Sequence, residues 1–470
     1  MRPGGPDSGR WPVDDVVARL RAPGGYEAFA ERVRQAGCCR RPVRLSGRVT
    51  TTGPTGQPVV LFDTAALPDR VLLKACGTRR ETLCPPCAAV YRGDAFALVV
   101  AGLRGGKGIP DDITSHPAVL TTFTAPSFGP VHRRRSDGTC HPTGLRCPHG
   151  TALVCGRRHA DGDPLVGQPL CPDCYDYEGA VLFNAGVSEL WRRTTIYALR
   201  ELGRLAGLSV RQAERTLRLS YVKVVEFQRR GSVHVHAVVR VDHRGDEHGT
   251  PPAVSGELLA GALLAAARRV SAPPPEPGSA ARLRWGSQAD VAVIGDSDDG
   301  RRRAAAYTAK YACKGSDADG VLDHRFRGGV PHHLELPAHL RALAETAWRL
   351  GDRPDLGHLR LHLWAHTCGH RGHFLTKSRR YSTTFGQLRA DRQRWRVEHG
   401  HAEGDQVSES PATGQWRFEG VGYRSTGDAW LAAGIAEAER LGRQAAWEDR
   451  QWASATTPEP EPGPSPVEES

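Results

Sequence analysis

Apolar and polar positions along the chain sort into a small number of expected elements. Residues 119–124 are rich in β-branched and aromatic types and stop at Ala125-Pro126, which predicts a strand. From about 188 to 218 leucines recur at helical spacing, with a break at Gly207. Residues 221–227 then read as a strand, Arg229-Arg230-Gly231-Ser232 as a turn, and residues 233–241 as the antiparallel partner. An Ala/Leu helix is expected over 257–270, ended by Pro273-Pro274-Pro275, and a short strand over 290–294. Residues 302–314 predict a helix with Gly315 as its stop. Residues 337–450 read as basic and helical, with Pro337 in a first turn. Residues 38–115 show short apolar runs only, and the Pro- and Glu-rich stretch 451–470 is expected to be disordered. The mixture predicts an α+β fold with an antiparallel sheet.

The strand at 233–241 carries unusual chemistry. In Val233-His234-Val235-His236 the side chains alternate faces, so His234 and His236 point the same way and can share a divalent metal. Glu226, on the preceding strand, joins that face if the hairpin connection is odd in length, and a three-residue loop sets it opposite His234. Two imidazoles and one carboxylate, with open positions for phosphate oxygens and water, suit Mg²⁺ or Mn²⁺. In Tyr307-Thr308-Ala309-Lys310-Tyr311 the two tyrosines share a helix face, with Lys310 and Lys314 on neighbouring faces. A phenol with a pKa near 10 is a weak nucleophile, and a nearby lysine together with a polarised phosphate favours its attack. The alternative for each motif is structural: surface histidines on an edge strand, and aromatic core residues at helical spacing.

Composition adds a partner and a compartment. The 470 residues are enough for two or three domains. A net charge of +11, mostly from arginine, points to a polyanion. No apolar stretch follows a basic start and no window approaches a membrane span, so a cytoplasmic protein without membrane contact is expected. Twelve cysteines are then better read as metal ligands than as disulfides. Cys76, Cys84 and Cys87 need a fourth thiolate, expected from Cys38 or its neighbour Cys39. A second cluster holds Cys140, Cys147, His149, Cys155, His159, Cys171 and Cys174. Its expected set is Cys147, Cys155, Cys171 and Cys174, with His149 and His159 as replacements. Two structural Zn²⁺ ions follow. Arg301, Arg302, Arg303, Lys314, Lys377, Arg379 and Arg380 are the expected DNA-backbone contacts, with a solvated charge run as the equal alternative for the three successive arginines. His366, His370 and His373 read as surface or DNA-facing histidines rather than a further zinc site.

Several segments together carry a family resemblance. These are Lys74-Ala75-Cys76-Gly77, Cys84-Pro85-Pro86-Cys87, the stretch from Thr122-Phe123-Thr124-Ala125-Pro126 to His132, Leu170-Cys171-Pro172-Asp173-Cys174-Tyr175-Asp176-Tyr177, and Gly372-His373-Phe374-Leu375-Thr376-Lys377 on to Phe385. With the His-Val-His strand and the Tyr-x-x-Lys-Tyr helix, the chain resembles rolling-circle replication initiators of actinobacterial plasmids and integrative conjugative elements. These belong to the two-tyrosine branch of the HUH endonucleases. The resemblance implies a ferredoxin-like or RRM-like core with the histidines central and the tyrosine helix packed over it. It carries His234 and His236 over as metal ligands and Tyr307 and Tyr311 as nucleophiles. It also implies a double-strand DNA origin, single-stranded at the nick, as substrate, with a host helicase and polymerase as partners. Relaxases and transposases of the same superfamily share the chemistry, and a non-catalytic zinc-containing DNA-binding regulator is the rival from another class. The expected division is an N-terminal zinc-knuckle region 1–115, a nicking-joining domain 116–315 with a zinc insertion at about 140–175, a basic helical region 316–450, and the tail 451–470.

Overall fold

The computed structural model describes residues 12–22, 25–53, 55–67, 69–141, 143–245, 254–276, 278, 281–314, 325–398 and 412–456. In chain order these begin with helices α1 (Pro12–Arg21) and α2 (Gly25–Gln35) and strands β1 (Val43–Thr52), β2 (Pro58–Asp63) and β3 (Leu72–Lys74). Helix α3 (Pro85–Arg104), β4 (Ala118–Thr124), β5 (Thr139–His141), β6 (Cys155–Arg158), α4 (Tyr177–Leu205) and α5 (Val210–Thr216) follow. Next come β7 (Leu217–Phe227), β8 (Val233–His243), α6 (Gly256–Arg269), β9 (Ala289–Val293) and α7 (Asp298–Lys314). The chain closes with α8 (Ala338–Gly351), β10 (Leu375–Lys377), α9 (Phe385–Glu398), β11 (Thr413–Val421) and α10 (Thr426–Thr456). The result is a mixed α+β protein with antiparallel sheets.

The chain forms two compact units, and the smaller draws on both early and late segments of the sequence. The smaller comprises Met1–Thr78, Thr82–Ala88 and Gly404–Ser470; the larger comprises Arg79–Glu81 and Ala89–Glu403. This grouping differs from the sequential division expected from composition, because residues after 404 join the first part of the chain. In the smaller unit β1 pairs antiparallel with β11, β2 and β3. Phe29 and Val33 of α2 pack with Leu431 and Ile435 of α10.

The larger unit is organised by a five-stranded antiparallel sheet in the order β10-β7-β8-β4-β9. Both of its faces are covered, so its central strands are almost continuously buried. On one face Phe123, Val225, Val235 and Val239 meet Trp191 of α4, Leu263 of α6 and Leu343 of α8. On the other, Val222, Val224 and Val238 meet Leu98, Val99 and Leu103 of α3 and Ala305, Ala309 and Ala312 of α7. Alanine at the inner positions of α7 lets that helix lie close to β7 and β8. Asp298 and Asp299 sit in its first turn, where carboxylates favour a helix start.

Most expected elements are present, with shifts at their ends. α4 starts eleven residues earlier than its leucine pattern suggests, capped by Asp176, whose carboxylate accepts the Gly179 amide at 2.8 Å. Gly207, at φ +71°, ends that helical stretch, and Ser209 with Gln212 forms a capping box for α5. Residues 316–450 are not uniformly helical. Residues 354–367 contain short 3₁₀ turns, β10 joins the central sheet, and β11 is a strand. Helix α3 is long and apolar enough to cross a membrane by length and composition, contrary to the expectation that no window would be. Half of that window is buried inside the protein, with Ala95, Leu98, Val99 and Leu103 in the core. α10 runs to Thr456, into the stretch expected to be disordered; residues 457–470 and Gly315 lie outside the described residues.

Candidate metal and tyrosine site

The hairpin of β7 and β8 fixes the site. Its strands pair from Leu217 with His243 to Phe227 with Val233, which sets Glu226 directly opposite His234. The Gln228 amide donates to the Ser232 carbonyl at 3.0 Å, leaving the three-residue turn Arg229–Gly231 that the register requires. Gly231 takes φ +71°, and a Cβ there would lie 2.3 Å from Leu343 Cδ1. Arg230 holds the turn against the end of β4, donating to the Pro126 and Ala125 carbonyls at 2.8 Å each.

β4 flanks the histidine strand on the other side, with Thr122 opposite His236 and Thr124 opposite His234. Each threonine hydroxyl lies 3.1 Å from the Nδ1 of its histidine. These contacts orient both rings and leave Nε2 as the outward nitrogen. His236 Nε2 is 3.2 Å from Glu226 Oε2. Burial, and then the neighbouring His236, push His234 down to about 4, so its ring is neutral near pH 7, the form a metal requires. Sequence reasoning placed 122–124 beside the histidines but gave the threonines no role; their spacing of two, matching that of the histidines, was the available signal.

Helix α7 brings both tyrosines to this end of the sheet. The ring centroids of His236 and Tyr311 are 4.2 Å apart, those of His236 and Tyr307 5.4 Å, and those of the two tyrosines 4.6 Å. Tyr307 is 36% exposed and Tyr311 half-buried, so the pair borders solvent. Burial, the hydrogen bond with Tyr311 and the charge of Glu226 push Tyr307 up to about 12. That runs opposite to the lowering expected from neighbouring lysines, and Lys310 lies on the exposed side of the helix. His234, His236, Glu226, Tyr307 and Tyr311 are thus gathered at one place.

The basic residues are less uniform. Arg302 and Arg303 are exposed, but Arg301 is 2% exposed and turned inward. It donates to the Leu103 carbonyl at 2.9 Å and to the Thr114 carbonyl, and pairs with Asp296 at 3.1 Å. Its place is structural. Lys377 is half-buried, with its ammonium on the carbonyls of Ser378 and Arg379, while Arg379 and Arg380 are exposed. The side chain of Lys314 lies outside the described residues. His370 is buried rather than surface-facing, with Nδ1 3.4 Å from the Asn184 carbonyl.

Among the described residues, cysteine and histidine donors form three groups, within each of which the donor atoms lie within 4.8 Å of one another, and the His234–His236–Glu226 trio is not one of them. The first is Cys39, Cys76, Cys84 and Cys87. Cys39, not Cys38, is the fourth thiol: Cys38 sits at φ +55° where the chain reverses after α2, so the two neighbouring side chains diverge. Cys39 Sγ is 3.7 Å from Cys84 Sγ. The second group is Cys147, His149, Cys171 and Cys174, so His149 replaces the expected Cys155. β6 pairs with β5, placing Cys155 opposite His141 and beside Cys140. Cys155 therefore joins a third, unexpected group with His132, Cys140 and His159.

The model of the family described as replication initiator protein, pSAM2, matches residues 25–437. The chain belongs to this replication initiator family. A replication initiator protein of Streptomyces ambofaciens is 40% identical over 454 residues, covering 93% of this chain and 95% of that protein. No solved structure matches. Membership of the replication initiators agrees with the resemblance carried by the sequence motifs, and it gives the chain a role in starting the replication of a plasmid-type element.

Proposed function

We propose that this initiator nicks one strand of a plasmid or integrative-element origin with a tyrosine, and rejoins the ends when rolling-circle replication terminates. The observation that carries the reading is the convergence of His234, His236, Glu226, Tyr307 and Tyr311 at one end of the sheet. Such a convergence supports reading the sheet and helix as an HUH-type core. The donor set fits a divalent cation, since both imidazoles are oriented through Nδ1 by threonines and a carboxylate stands beside one Nε2. Mg²⁺ or Mn²⁺ held by His234, His236 and Glu226 would polarise the scissile phosphate.

The tyrosines do the covalent work. One phenol loses its proton and its oxygen bonds to phosphorus, while the 3′ oxygen leaves and is protonated to the hydroxyl that primes a polymerase. The 5′-phosphotyrosyl link keeps the energy of the phosphodiester, and the second tyrosine or the freed 3′ hydroxyl later reverses the exchange. Two phenols 4.6 Å apart between ring centroids suit such a relay. DNA is the partner, with helicase and polymerase supplied by the host, in the cytoplasm. The groups at Cys39, Cys76, Cys84 and Cys87, and at Cys147, His149, Cys171 and Cys174, are assigned structural Zn²⁺.

The test uses labelled single-stranded DNA tiled across the origin region beside the gene, incubated with the protein in Mn²⁺ or Mg²⁺. A denaturant-resistant protein–DNA adduct is expected. It should disappear in the Tyr307→Phe plus Tyr311→Phe double variant. An undiminished adduct in that variant would show that other residues are the nucleophiles.

A further inference from the structure

The third donor group has a topology that individual distances do not reveal. In chain order the eight donors of the insertion come as four pairs: His132 and Cys140, Cys147 and His149, Cys155 and His159, Cys171 and Cys174. The first and third pairs make one group, and the second and fourth make the other. Each group therefore encloses a ligand pair of its neighbour along the chain.

The separations are close to those of tetrahedral sites. With Zn–S near 2.3 Å and Zn–N near 2.0 Å, the edges of such a tetrahedron are about 3.3–3.8 Å. Cys155 Sγ is 3.5 Å from His159 Nε2, and Cys140 Sγ is 3.8 Å from His132 Nδ1. In the neighbouring group Cys147 Sγ is 3.7 Å from Cys171 Sγ, and His149 Nδ1 is 3.2 Å from Cys174 Sγ. His159 is further prepared as a ligand, because its Nδ1 lies 2.7 Å from Asp163 Oδ2, so the carboxylate turns Nε2 toward the thiols.

The insertion also has no apolar core of its own among the described residues: none from 132 to 174 belongs to an apolar core cluster outside the thiol groups. Leu145 is 83% exposed, and the regular structure is the short pair β5 and β6 with one 3₁₀ turn at Pro172–Cys174. Yet Cys140 is fully buried and His159 is 2% exposed. A stretch of this length that hides most of its thiols and exposes Leu145 is held by something other than apolar packing.

We propose that residues 131–175 form a cross-braced module with two Zn²⁺ ions, one at His132, Cys140, Cys155 and His159, the other at Cys147, His149, Cys171 and Cys174. Mixed thiolate and imidazole donors in a tetrahedral set select zinc. The whole chain then carries three ions, with nine sulfur and three nitrogen ligands. Because the sites interleave, closing one brings the other's ligand pairs together, and the two ions bind cooperatively. The module also abuts the β7–β8 turn: Arg229 donates to the Asp163 carbonyl at 2.6 Å, and a Cβ on Gly167 would meet Arg229 at 2.6 Å.

The experiment is zinc quantitation and X-ray absorption on the full-length chain purified without added metal, followed by Co²⁺ titration of the metal-stripped protein. Three ions per chain are expected, with an average of three sulfur ligands to one nitrogen. Cys155→Ser should lose at least one ion, whereas His159→Cys should keep three and shift the average toward sulfur, which separates ligand loss from misfolding. Cys171→Ser, in the other site, should also weaken Co²⁺ binding to the His132 site at least tenfold. Two ions in the wild-type chain, or a count unmoved by Cys155→Ser, would overturn the new site. Loss of a single ion from Cys171→Ser with unchanged affinity at the His132 site would overturn the cross-brace. None of these readouts depends on DNA nicking.

Discussion

Asp242 shows how much of this fold rests on single polar residues. It is 1% exposed, and its carboxylate accepts from Arg240 at 2.6 and 3.0 Å and from Ser220 at 2.5 Å, with His116 Nδ1 at 2.9 Å. Burial alone would raise the carboxyl, but the His116 and Arg240 bonds outweigh it and hold Asp242 well below the usual carboxylate range. A lowered carboxyl stabilises the fold fully above the unfolded value near 4 and loses that contribution as the pH falls below it. The urea midpoint should therefore drop on acidification below about pH 4, and Asp242→Asn should flatten that dependence. At neutral pH the same variant should cost about 3–5 kcal/mol in urea unfolding, because the buried Arg240 loses its counter-charge. At this scale the sequence made the chemistry-bearing residues legible and left their facing unread. His234, His236, Glu226 and both tyrosines were readable because strand and helix periods assign faces directly. Arg301 was not, since its direction depends on where α7 begins. The helix starts at Asp298, which puts Arg301 on the inward stripe with Ala304, Ala305 and Thr308.

Among elements, the β7–β8 hairpin was the most legible, because alternation and turn length together determine its register. Its support was not. Asn184, fully buried in α4, donates to the Gly231 and Cys368 carbonyls and accepts the Val233 amide, all at 2.9 Å. It pins the first residue of the histidine strand, yet nothing in the leucine pattern of α4 marks it. Asn184→Ala leaves three buried backbone groups without partners and should destabilise the protein by about 3 kcal/mol in urea unfolding. Adduct formation should fall as well, since His234 follows one residue after the pinned amide. Helix α3 escaped detection for a different reason: an apolar helix with little polar face has no amphipathic period to find. The turns at 354–367 escaped because short apolar runs fit several local structures equally well.

For the whole molecule, the proposed DNA binding should respond to salt through its phosphate contacts, which a net charge of +11 favours. Each phosphate contact removed lowers the slope of log affinity against log salt by about 0.9. Arg302→Gln with Arg303→Gln, both on the exposed side of α7, should reduce that slope by about 2 and weaken binding to unrelated sequences equally. An unchanged slope in a filter-binding or anisotropy titration would place the DNA backbone elsewhere. Domain organisation was the least legible property. Composition follows the chain in order, whereas the smaller unit pairs β1 with β11, and a pairing between distant strands leaves no local mark.

The pairing of β1 with β11 has a consequence for how the protein is made. Thr50 and its partner Thr413 are 363 residues apart. At the usual 5–20 residues per second a ribosome needs about 20–70 s to cover that distance. Throughout that interval the emerging chain presents one unpaired edge of β1, an open template for strands of other nascent chains. Translation speed and chaperone supply, rather than final stability, should therefore govern how much intact initiator a cell obtains.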